Sequence, residues 1–157
     1  MRFLVSVLLA ASAALPCTVT ACGQPAASAD SAAADIANVT ARLQGSWRLS
    51  GYTPDVPLEP MLAMWLAGAQ RSLVVRFEGG SLQADAPNQA FAFHYDRPFT
   101  VTNVAGNNFT LTTVTQNGDS LVSYCQLDPQ GQGLQFHSQT EPFRGSGVLV
   151  RLGGPGG

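Results

Sequence analysis

The side chains able to do covalent or coordination chemistry are few: three cysteines, two histidines and ten Asp or Glu residues. A serine hydrolase needs a Gly-x-Ser-x-Gly turn, or a Ser, a His and an Asp brought together. Gly145-Ser146-Gly147 lacks that spacing and reads as a turn. His94 and His137 each alternate out of phase with their apolar neighbours, which predicts solvent-facing positions. A metal site joining them with Asp96 or Glu141 would lack a third ligand at fixed spacing. Glu59, Glu78 and Glu141 fall in loops or at strand ends, and no two form an acid–base pair. Cys125 shares a strand face with Leu121 and Leu127, the setting of a buried, inert thiol. These residues predict no enzyme, no metal and no cofactor.

The aromatic residues are more informative. Val75, Phe77, Phe91, Phe93, Tyr95, Val101, Phe109 and Leu111 recur on alternating positions, with Phe99 and Phe136 in the same pattern. Such a set packs a core, or lines an apolar pocket for a small ligand. Met64 and Trp65 lie on an apolar segment that either covers such a pocket or simply packs. Phe143 and Arg144, in the segment Glu141 to Gly145, put an aromatic and a guanidinium in one rim loop. Both residue types are enriched at protein interfaces, although a solvated loop would look the same.

The elements that must hold these residues are mostly strands. Residues 23–34 contain no large apolar residue and read as a flexible tether. Ile36, Val39 and Leu43 then recur at helical spacing, predicting a short helix from about Asp35 to Leu43. A first strand opens at Gly45. Pro54, Pro57 and Pro60 break the chain, and Met61 to Ala67 reads as one helix with Gly68 near its end. From Ser72 onward the period is two, with turn signals at Gly79-Gly80, Gly106-Asn107-Asn108, Asn117-Gly118-Asp119, Gly131-Gln132-Gly133 and Gly145-Ser146-Gly147. The fold class is therefore all-β: a small up-and-down antiparallel β-barrel of about eight or nine strands, with one helix after the first strand. In that barrel Val75, Phe77, Phe91, Phe93, Val101, Phe109, Leu111 and Val150 are expected to point inward. His94, Thr100, Thr102, Thr110, Thr112 and His137 are expected to point outward.

The N-terminus carries an address. Arg2 precedes an apolar, alanine-rich run from Phe3 to Leu15, the pattern of an export signal and too short to span a bilayer. Val19-Thr20-Ala21-Cys22 resembles the bacterial lipobox. The resemblance implies cleavage after residue 21 and lipidation of Cys22, so that the membrane is a partner through the N-terminal lipid. Pro16 before Cys17 departs from the motif. Gln24, second after the cysteine, is not the Asp that would suggest inner-membrane retention, so the reading is an exported envelope protein, at the outer membrane in a Gram-negative cell. The divisions are a signal peptide over 1–21, a lipidated cysteine and tether over 22–41, a barrel over 42–152 and a glycine-rich tail over 153–157.

Composition narrows the partners. All eight basic residues are arginine, the net charge is −2, and charged residues make up 11% of the chain, so no basic stripe for nucleic acid exists. With Cys17 removed and Cys22 acylated, Cys125 would be the lone thiol, leaving no intramolecular disulfide and no cysteine cluster.

The domain also resembles a family. Gly45-x-Trp47 opening the first strand, a β meander, and Arg151 in the last strand, Val148-Leu149-Val150-Arg151-Leu152, are similar to the lipocalins and related calycin barrels. The resemblance implies that Trp47 and Arg151 pack together and close one end of the barrel, where a guanidinium stacked on indole gains cation–π attraction. The helix after the first strand is more like fatty-acid-binding barrels. Small barrel inhibitors of bacterial metalloproteases share the Gly-x-Trp-x-Leu start. The function expected is binding or carriage of a small apolar ligand in the envelope. The alternative is a non-catalytic interaction module, an assembly factor or an inhibitor of a secreted enzyme that binds an envelope or secreted protein. A roomy interior favours the first and a filled one the second.

Overall fold

A computed structural model describes residues 29–87, 93–115 and 117–153, apart from the side chains of Arg71 and Phe93. The signal segment, Cys22, Phe91 and the end of the tail lie outside the described residues. The chain order is α1 (Ala29–Leu43), β1 (Gly45–Pro54), α2 (Pro60–Ser72), β2 (Val74–Glu78), β3 (Ser81–Ala86), β4 (Phe93–Pro98), β5 (Thr100–Ala105), β6 (Asn108–Val114), β7 (Ser120–Leu127), β8 (Gly133–Ser138) and β9 (Gly145–Leu152). Among the described residues no helix is long and apolar enough to cross a membrane.

Nine strands form one antiparallel sheet in the order β4-β3-β2-β1-β9-β8-β7-β6-β5, curled into a nearly closed barrel. The first and last strands pair side by side, with Trp47 opposite Arg151 and Leu49 opposite Leu149. Only Phe99 separates β4 from β5. The first of these strands ladders onto β3 and the second onto β6, so the two halves of one bent run serve opposite edges of the sheet. Where the ladder is missing, side chains close the seam. The Tyr95 hydroxyl on β4 donates to the carbonyl of Val114 and lies 2.8 Å from Thr113 Oγ1, which in turn donates to the carbonyl of Pro98 at 2.8 Å.

Three local expectations need correction. The first helix begins at Ala29, so residues 29–34, read as tether, are helical. Alanine has the highest helix propensity, and Asp30 in the first turn suits the positive end of the helix dipole. Residues 36–43 pack on the barrel, with Val39 and Leu43 buried and Ile36 against the core, so the folded unit starts before residue 42. The second helix runs through Gly68 to Ser72, because the turn from Ala69 to Leu73 still closes its backbone bond. Finally, Gly145-Ser146-Gly147 is the start of β9 and not a turn.

Steric demand explains the two glycines at the start of β9. A bulge in β1 between Leu49 and Gly51 shifts the pairing, so Tyr52 faces inward opposite Gly147. Tyr52 stacks on Phe136, with ring centroids 6.3 Å apart. A Cβ on Gly147 would lie 2.4 Å from Phe136 Cζ, and one on Gly145 would lie 2.8 Å from the Tyr52 hydroxyl oxygen. The two glycines thus leave room for two aromatic rings, and they carry the inward register of β9 through Leu149 to Arg151. Val150, expected inside, is on the outer face at 38% exposure. Adjacent strand residues point to opposite faces, so Arg151 over Trp47 and Val150 in the core are mutually exclusive.

Candidate functional site

One end of the barrel is closed by α1 and the Trp47–Arg151 pair. Trp47 has no exposed surface. Its indole nitrogen donates to the carbonyl of Leu43 at 2.9 Å. The Arg151 guanidinium lies 4.2 Å from the centre of the indole ring. It also donates to the carbonyls of Gly131 at 2.7 Å, Gln44 at 2.6 Å and Arg42. The last carbonyls of a helix have no partner within it. Trp47 and Arg151 supply those partners from the barrel, and the cation sits at the negative end of the helix dipole. Burial lowers the Arg151 pKa, while Asp128 nearby raises it. Gly45 is required here: its φ is +114°, and a Cβ would come within 3.0 Å of an Arg151 nitrogen. Arg42 extends the clamp to Asn107 Oδ1 and the carbonyl of Asp128, both at 2.9 Å.

Beyond this closed end the barrel is hollow. A cavity of about 510 Å³ is walled by Leu49, Leu73, Val75, Phe77, Leu82, Ala84, Leu111, Leu134, Phe136 and Leu149. Of the residues expected to line it, Val75, Phe77, Tyr95 and Leu111 do so. Val101 and Phe109 are buried but belong to the packed core and not to the cavity wall. Phe77 meets Phe99 edge to face at 5.2 Å, a further part of that packing. Phe93 holds its place opposite Ala86 in the β3–β4 ladder, and its side chain lies outside the description.

The mouth is bounded by α2 and the segment before β9. Trp65 and Leu66 of α2 line the cavity, as do Glu141, Pro142 and Phe143. The Trp65 and Phe143 rings meet with centroids 6.0 Å apart. Met64 is exposed, so Trp65 and not Met64 serves the site. The rim pair divides: Phe143 turns to α2, while Arg144 lies outside with its Nε 3.3 Å from Asp55 Oδ2. Cys125 faces the cavity, and burial pushes its thiol up to about 12.

The outward set also takes definite places. His94 is exposed, its Nδ1 2.6 Å from Asp85. Thr100 and Thr102 are exposed and Thr112 half-buried. Thr110 lies on the outer face but is buried, its hydroxyl accepting a bond from the Asn103 amide at 3.3 Å. Asn103 sits at a bulge in β5 with φ +52°, which brings its side chain over that neighbour. His137 Nδ1 lies 2.9 Å from Ser146 Oγ, and its Nε2 lies 3.5 Å from Asp55 Oδ2. Those three residue types would suit a hydrolase, but the arrangement does not. The histidine–carboxylate distance is long for a hydrogen bond, and Asp55 is shared with Arg144. Ser146 sits mid-sheet between β1 and β8, where the ladder occupies the backbone donors an oxyanion hole would need. Among the described residues no three His, Cys, Asp or Glu side chains are placed to hold a metal.

A second concavity, of about 610 Å³, lies against the outer face of β6 to β9, bordered by Asn108, Tyr124, Gln126, Gln135 and Ser146. Polar side chains make up more of its border, whereas the barrel cavity is lined mainly by apolar residues. The interior is therefore the candidate site. Sequence alternation located its β2, β4 and β6 walls. It missed Tyr52, whose facing depends on the bulge.

Compared with known protein families and with curated proteins, the chain matches none.

Proposed function

We propose that this chain is an exported envelope lipoprotein, anchored through Cys22, whose lipocalin-like barrel binds or carries a small apolar ligand. The observation that carries the reading is the hollow interior. Its volume of about 510 Å³ falls in the range of small-molecule sites, which run from roughly 300 to 1,000 Å³. The end closed by Trp47 and Arg151 supports the lipocalin-like assignment, and the α2 mouth supplies an entrance. An interaction module is the second reading. It is favoured by Tyr124, Val148, Val150 and Leu152, all exposed on the outer face.

The test is saturable binding of an apolar fluorescent probe to delipidated, folded protein. Binding should occur with one site per barrel. Ala84→Phe, which adds a ring inside the wall, should weaken it about tenfold or more in protein whose circular dichroism is unchanged. Thr102→Ala on the outer face should leave it as it was. Absence of saturable binding, or equal binding by the Ala84→Phe variant, would move the function to the interaction module.

A further inference from the structure

The outer concavity crosses six strands, from Gly51 and Thr53 on β1 to Asn103 on β5. Each of the two flanking strands carries a bulge, between Leu49 and Gly51 in β1 and between Thr102 and Ala105 in β5. A bulge bends its strand and raises the local twist, and bulges concentrate beside functional sites, where they re-aim a side chain. Asn103 is such a side chain. Its φ of +52° is the only positive value among the described non-glycine residues. Its amide nitrogen donates to Thr110 Oγ1 at 3.3 Å, which holds the amide at the border of the concavity. The amide oxygen takes no part in that bond.

The ladder lays out the floor. Tyr124 stands between Thr110 and His137 in one cross-strand row, and Asn108, Gln126 and Gln135 lie side by side in the next. Their sequence neighbours Phe109, Cys125 and Leu134 are buried, so these side chains point outward. The Tyr124 ring is on a residue 58% exposed. Asn108, Gln126 and Gln135 are exposed too, and strand pairing sets them about 5 Å apart. Among the described residues none of these three amides is held by a protein partner.

These groups together fit one chemistry. A sugar ring has an apolar face of C–H groups and a rim of hydroxyls that both donate and accept. The face of an aromatic ring is electronegative and suits the C–H side. A primary amide holds two donors beside an acceptor and can bridge neighbouring hydroxyls. An added peptide strand would instead need free backbone groups, which the ladder occupies here. The volume of about 610 Å³ has room for roughly 20 water-sized groups, near the size of two hexose units.

We infer that this outer face is a saccharide-binding site, with Tyr124 under a sugar ring and the amides of Asn108, Gln126 and Gln135 bonding its hydroxyls. The site is separate from the barrel interior. It goes beyond the proposed apolar ligand, a reading that can fail without affecting it.

The test titrates cellotetraose, chitotetraose and maltotetraose into the isotope-labelled full chain, kept in a zwitterionic detergent without sugar headgroups. At least one should bind saturably below about 10 mM and shift the side-chain amide signals of Asn108, Gln126 and Gln135 in the nuclear magnetic resonance spectrum. Tyr124→Ala should weaken that binding about tenfold or more, while Tyr124→Phe, which keeps the ring, should stay within about twofold. Gln126→Ala and Gln135→Ala should each cost about threefold. Ala84→Phe, inside the barrel, should bind as the unaltered protein does. Three outcomes would each overturn the inference: no saturable binding by any of the three sugars, binding that Tyr124→Ala leaves unchanged, or shifts confined to inward residues such as Val75 and Leu111.

Discussion

Replacing Arg151 by Met keeps the unbranched stem over Trp47 and removes the guanidinium. Three carbonyls then lose a charged donor: Gly131 in the turn before β8, and Arg42 and Gln44 at the end of α1. Hydrogen bonds to charged groups contribute about 1.5–3 kcal/mol each, and water can replace part of that at a half-buried site. Stacking on the indole adds about 0.5–1 kcal/mol. The expected loss is about 3 kcal/mol, read as a lower urea midpoint with an unchanged slope. In a domain of this size that corresponds to a fall in Tm of about 10 °C. Arg151→Lys should recover less than half, because a single ammonium cannot reach three carbonyls spread around a planar fork. Hydrogen exchange should quicken at the last turn of α1 before the β1–β9 ladder opens. A double-mutant cycle with Trp47→Phe should show coupling of about 1 kcal/mol. A loss below about 1 kcal/mol for Arg151→Met, or strict additivity with Trp47→Phe, would refute the closure argument.

Gly147→Ala places a Cβ against Phe136, and overpacking of this kind costs about 1–3 kcal/mol, measurable by denaturant unfolding; the neighbouring outward change Val148→Ala should cost far less. Cys125 should resist alkylation in the folded state and react readily in urea, since its thiolate is disfavoured by burial. Its folded pKa of about 12 lies above the ordinary value of 9.0, so the thiol imposes no penalty below about pH 9. As pH climbs from there towards 12 the unfolded chain loses the proton first, and stability falls. Cys125→Ala should flatten that part of the stability profile, and an unchanged profile would remove the thiol as its cause. Cys22→Ser should abolish incorporation of a fatty-acid analogue and leave the precursor uncleaved or the protein soluble, and equal labelling of both forms would refute the lipobox reading.

Period-two alternation is a local property, and it was sufficient for the all-β class, for most strands and for the inward facing of Val75, Phe77 and Leu111. Gly45-x-Trp47 and Arg151 were likewise visible, because a left-handed glycine and a large inward ring leave a sequence trace. What the sequence could not decide was register across elements. The bulge between Leu49 and Gly51 reverses the facing of the rest of β1, and only pairing with β9 shows where it falls. Gly145 and Gly147 read locally as a turn, because the rings they accommodate, Tyr52 and Phe136, come from other strands. Val150 looked like core for the same reason: each strand offers two faces, and the choice is made by Arg151 reaching α1. The hollow interior is the least local feature of all. The same apolar side chains would fill a tighter barrel. The volume left over depends on how the bent β4–β5 run, α1 and α2 close around them.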